Sequence, residues 1–115
     1  MKGIVNLEAV VVPLTHAPNA NAAAVITVAA LASIRTVVDK VWGGYDLTPN
    51  GVNGSLSVVV TVLGSLVTLA MPVPAAGPVI LDFKPPIQGD VATAITITLA
   101  TGGVGVTGKI NALTR

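Results

Sequence analysis

Between Ser55 and Val62 the side chains alternate. Leu56, Val58, Val60 and Val62 fall on one parity, and Ser55, Ser57 and Thr61 on the other, with Val59 the exception. A period of two predicts a half-buried strand. Leu63-Gly64-Ser65 predicts a tight turn, and Leu66 to Met71 a second strand. Val79, Leu81 and Phe83 then alternate with Ile80 and Asp82, until Lys84-Pro85-Pro86 stops the run, because proline cannot donate to a sheet ladder. Val91 to Ala100 has the clearest alternation, with Ile95, Ile97 and Leu99 inward and Thr96 and Thr98 outward. Thr101-Gly102-Gly103 turns the chain. Val104, Val106 and Ile110 then face inward, and Thr107, Lys109 and Asn111 outward.

Upstream, Ala22 to Leu31 mixes alanines, which favour helix, with Val25, Ile26, Thr27 and Val28, which favour strand; it is assigned as a strand. Ile34 to Trp42 is the next, with Arg35 and Asp39 on one face and Gly43-Gly44 at its end. Asp46 to Gly54 (DLTPNGVNG) is rich in turn formers and reads as an exposed loop. Residues 1–20 read as an extended N-terminal arm. Seven short strands at this spacing predict an all-β fold. The expected architecture is an antiparallel β-sandwich, jelly-roll or Ig-like, over residues 21–115.

Charge sharpens this picture. The 115 residues include six Lys or Arg and five Asp or Glu, and Leu47 through Leu81 contains none of the four. A free soluble domain keeps about a quarter of its residues charged, whereas this chain keeps 10%. Either it sits in a membrane or much of its outside is covered. Gly54 to Met71 reaches the length of a candidate membrane helix. Its β-branched residues, its parity and the prolines at 72, 74 and 78 argue for strands instead. Asn6, Glu8, Pro13 and Pro18 break up the N-terminus as a signal peptide. A net charge of +1 with no basic run, and only three aromatics, argue against nucleic-acid binding.

No residue set announces a reaction. Gly103 to Ile110 (GVGVTGKI) nearly fits the phosphate-loop pattern. Ile110 stands where a hydroxyl should bind magnesium, and the segment alternates like a strand. His16 is the single histidine, too little for a triad or a histidine metal site. Asp46, Asn50 and Asn53 lack the spacing of a calcium loop and read as turn residues. Asp82 and Asp90 straddle the Pro-Pro segment and read as solvated strand ends rather than paired acids. No cofactor, metal or catalytic residue is expected. Trp42 and Tyr45, flanking Gly43-Gly44, are the candidate interface residues, since large aromatics are enriched at interface hot spots and equally serve as core anchors.

The C-terminal two-thirds carries a resemblance. Val38-Asp39-Lys40-Val41-Trp42-Gly43-Gly44-Tyr45 is followed by Thr48-Pro49-Asn50-Gly51 and Gly54-Ser55-Leu56, then Ala76-Gly77-Pro78, Phe83-Lys84-Pro85-Pro86-Ile87-Gln88-Gly89 and ITLATGGVGVTGKIN from Ile97 to Asn111. This order, over about residues 34 to 113, resembles small β-sandwich virion proteins of tailed bacteriophages, whose closing segment reads like LAAGGAGVTGKLN. The resemblance implies a non-enzymatic particle component made in the bacterial cytoplasm, most simply a capsid decoration or cement protein. Its partners would be itself, as a homo-oligomer such as a trimer, and the major capsid protein or another virion protein, with no nucleic acid and no membrane. A tail, neck or head-fibre subunit with a receptor- or protein-binding loop is the alternative, and a carbohydrate-binding module a third.

Overall fold

The structure, a computed structural model, describes residues 12–16, 22–30, 32–45, 54–73, 77–101 and 106–114. Among them are eight strands: β1 (Val12–His16), β2 (Ala24–Val28), β3 (Arg35–Tyr45), β4 (Gly54–Val62), β5 (Ser65–Val73), β6 (Gly77–Val91), β7 (Ile95–Leu99) and β8 (Gly108–Thr114). They form two four-stranded antiparallel sheets packed together, ordered β1-β8-β3-β6 and β2-β7-β4-β5. The protein is all-β. Among the described residues no helix is long and apolar enough to cross a membrane.

The alternation in the sequence becomes the core. Leu56, Val58 and Val60 of β4, Ile95, Ile97 and Leu99 of β7, and Ala24, Ile26 and Val28 of β2 are buried. They meet Val38, Val41 and Tyr45 of β3, Val79 of β6, and Ile110 and Ala112 of β8. Successive side chains of a strand point to opposite faces, so one face of each sheet fills the interior. Burying these aliphatic groups stabilises the fold at roughly 25 cal/mol per Å² removed from water.

The turn at Leu63-Gly64 is present. Both residues have positive φ (50° and 81°), the backbone of a two-residue hairpin whose twist matches the strands it joins. Gly64 adopts this freely; Leu63 does so against a steric cost.

Four expectations change. The described part of the predicted arm, residues 12–16, is β1, paired antiparallel with β8; the rest of residues 1–20 lies outside the described residues. The strand expected to stop at Phe83 runs on to Val91. It survives its prolines because β6 is a sheet edge, where a missing N–H breaks no ladder. The four residues Phe83–Pro86 bulge opposite Asp39, since Val38 pairs with Ile87 and Lys40 with Asp82. Lys84–Pro85 is cis. Val91 thus closes β6, the chain turns at Ala92 (φ 59°), and β7 begins at Ile95. Gly43-Gly44 does not end β3, which continues to Tyr45. A Cβ at Gly43 would meet the backbone carbonyl of Lys109 on β8, so the glycine permits close approach of two strands within the sheet.

Candidate interaction surface

The two candidate interface aromatics part ways. Tyr45 is 5% exposed. Its hydroxyl donates to the carbonyl of Ala100, and burial pushes its phenol pKa up, keeping it protonated as a donor. Gly54 lies against the ring hydroxyl, where any Cβ would collide. Tyr45 thus ties the end of β3 to the β4 and β7 side of the core. Trp42, three residues earlier, is half-buried. Its carbonyl accepts from Asn111 Nδ2 (3.5 Å), and the Lys40 ammonium stands 5.7 Å from its ring centroid, within cation–π range.

The residues weighed for chemistry take structural positions. His16 ends β1, and its Nδ1 accepts the Val25 N–H of β2 (2.8 Å). That bond links the edges of the two sheets. Gly108, Lys109 and Ile110 lie in β8, so a strand, not a helix, follows the phosphate-loop-like motif. Asp82 pairs with Lys84 at 3.8 Å, both exposed. Asp90 Oδ1 and Oδ2 accept from the Leu63 and Gly64 N–H groups (3.0 and 2.8 Å). These two bonds, that to Gly64 foremost, hold its pKa below the ordinary 3.8. Arg35 stands 4.0 Å away. Asp46, Asn50, Asn53 and the loop they belong to lie outside the described residues, apart from Gly54, which opens β4. Among the described residues no group of three His, Cys, Asp or Glu could hold a metal.

Charge is distributed by sheet. Every Asp, Glu, Lys and Arg among the described residues belongs to β3, β6 or β8, all in one sheet. The sheet β2-β7-β4-β5 has none. Its outer face is built mainly from Ser, Thr, Val and Ala side chains such as Val25, Thr27, Ser57, Val59, Thr96 and Thr98, joined on β5 by Leu66 and Pro72.

The four sheet edges also differ. Unpaired edges invite other strands unless they are short, charged, bulged or interrupted by proline. The β1 edge is five residues long with Pro13 in it. The β2 edge is equally short, and His16 occupies its Val25 N–H. The β6 edge carries Pro78, Pro85, Pro86, Asp82, Lys84 and two register shifts. Only β5 lacks such protection over its middle. It pairs with β4 in unbroken register from Ser65 to Val73, has no charged residue, and is exposed on both faces through Ala70. Leu66 is 74% and Leu69 45% exposed.

Beside it the sandwich is open. Leu56 and Val58 of β4, Leu69 and Met71 of β5, and Leu81 and Phe83 of β6 line an apolar cleft of about 210 Å³. At the hairpin tip Leu63 is 92% exposed. The run Leu66 to Met71, with large apolar side chains on both parities and Thr68 its one polar residue, is the available sequence signal for this edge. Comparison with protein families, curated proteins and solved structures finds no match to the chain.

Proposed function

We propose that the chain is a non-enzymatic structural protein of a bacteriophage particle, a capsid decoration or cement protein whose sandwich is a jelly roll. The observation that carries this reading is the charge-free sheet. A surface built mainly of Ser, Thr, Val and Ala, with Leu66 exposed at its edge and no ionised group, is poorly suited to face water alone, and well suited to lie against other protein. The strand pairing supports the roll. β1 pairs with β8, β2 with β7, β3 with β6 and β4 with β5, the pattern of one long hairpin folded over and rolled up. Capsid subunits and lectins are common users of that architecture. The resemblance of residues 34 to 113 to phage virion proteins points the same way.

In this reading the charge-bearing sheet faces solvent, and the charge-free sheet lies on sister chains and the major capsid protein. Contacts bury apolar surface at roughly 25 cal/mol per Å². They span junctions between capsomers, so pressure from the packaged genome must break them before the shell opens. A lectin-like role is less well supported, because Tyr45 is enclosed and only Trp42 and Phe83 keep partial exposure among the described aromatics.

The test is to add the purified chain to particles from which it has been removed. The expected result is saturable binding to the head at a fixed copy number and a higher temperature of genome release. Binding confined to the tail, neck or fibres would favour the alternative location. A soluble monomer with no affinity for particles would overturn the proposal.

A further inference from the structure

We propose that β5 is a homodimerisation edge, joining two copies of the chain into one continuous eight-stranded sheet about a two-fold axis at Leu69. This places an oligomeric contact of the function proposed above on the molecule, but it stands on the edge geometry alone. A chain that dimerises through β5 and never meets a capsid would overturn that function and leave this inference intact.

One hydrogen bond decides which backbone groups of β5 are free. The Ala100 N–H donates to the Ser55 carbonyl (2.9 Å), so Ser55 directs its backbone groups at β7. Ser55 is opposite Pro72, so Pro72 directs its carbonyl away from β4, at the open edge. Backbone direction alternates along a strand. Leu66, Thr68 and Ala70 therefore also present N–H and C=O outward, while Val67, Leu69 and Met71 are bonded to β4.

A second β5 fits this row. Leu69 is the midpoint of Ser65–Val73. A two-fold axis through it uses the whole strand and sets Thr68 opposite Ala70 of the second copy, and Leu66 opposite Pro72. The Thr68 and Ala70 pairs exchange both hydrogen bonds. Pro72 lacks a donor, but its carbonyl accepts from Leu66. The side chains also match. Leu69 meets Leu69, and Val67 meets Met71, on the side that continues the apolar cleft. Thr68 meets Ala70 on the other. No charge is brought against a like charge, because β5 has none.

The side of the sandwich that carries β5 bounds the size of the contact. Nine residues at about 3.4 Å each give an edge about 30 Å long, and the molecule's smallest extent is 23 Å. Their product, on the order of 700 Å², is the whole side of the sandwich that carries β5 and so the most each copy can bury there, against about 800 Å² per partner in a standard stable interface. The other three edges are short, occupied or guarded, which makes β5 the site of self-association.

The test is the native mass of the full chain over a dilution series, with three variants. Ala70→Pro removes an outward N–H and leaves the β4 ladder intact. Leu69→Lys puts two charges on the axis. Leu69→Cys places one thiol in a chain that has no other cysteine, at a non-hydrogen-bonded pair with Cα atoms about 4.5 Å apart, within disulfide reach. The expected results are a wild-type dimer, folded monomers for Ala70→Pro and Leu69→Lys, and near-complete disulfide dimer on oxidation of Leu69→Cys. A wild-type monomer at every concentration, a three-fold assembly, or failure of Leu69→Cys to cross-link would overturn the proposal. The cross-link decides the matter even if Ala70→Pro fails to fold.

Discussion

Four side chains test how the fold is held. Leu63 holds a positive φ that costs a leucine roughly 1–2 kcal/mol and leaves it almost wholly exposed. Asn is preferred at that position of such a turn, so Leu63→Asn should raise stability by about 1 kcal/mol in denaturant unfolding. Thr36 is buried, and its Oγ1 has no hydrogen-bond partner among the described residues. Thr36→Val keeps the shape and removes the unsatisfied hydroxyl, so it should also stabilise, by about 1 kcal/mol. Tyr45→Phe should do the reverse, destabilising by about 1 kcal/mol as the Ala100 carbonyl loses its donor. Asp90 gives a pH signature. Its folded pKa lies below the ordinary value, so its contribution is fully present above that value and is lost as pH falls through the folded pKa. Asp90→Asn should therefore melt below wild type at neutral pH, and the gap should close on acidification.

At the scale of elements, most of the architecture was legible because strand parity is a local property. Leu56, Val58 and Val60, and Ile95, Ile97 and Leu99, declare their buried face by alternation alone, and the structure buries all six. What escaped the sequence was long-range. Pro85 and Pro86 argue correctly against a central strand, but no local pattern reveals that β6 is an edge and can bulge around them. Gly43 looks like a terminator until β8 is seen lying against it. Tyr45 and Trp42 are near-neighbours in sequence, yet the pairing of β3 with β8 and the position of Gly54 decide that only Tyr45 is enclosed. Leu66 to Met71 predicts a strand and no more, because the exposure of β5 as an edge depends on strand order. Gly43→Ala tests the close approach. It forces β3 away from β8, and loss of the cooperative unfolding transition is the expected outcome by circular dichroism.

On the scale of the whole molecule, the separation of charge is the organising fact. One sheet carries all the described ionised side chains and the other none. Among the described residues the lack of charge is thus gathered into one layer instead of being spread over the surface. Association through that layer, as proposed, would be apolar and backbone-mediated, so it should be insensitive to salt, unlike ion-paired contacts, whose screening length falls from about 10 Å at 0.1 M to about 3 Å at 1 M. Native mass measured across that salt range should show the same assembly throughout; dissociation at high salt would point to ionic contacts instead. The central proposal, that this layer lies on a virus shell, is tested most directly by cryo-electron microscopy of phage particles to which the purified chain has been added. The expected result is density for the eight-stranded sandwich at regular sites on the outer capsid surface, its charge-free sheet turned toward neighbouring protein and its charged sheet toward solvent. Particles whose shell lacks that density, or subunits docked through the charged sheet, would contradict it.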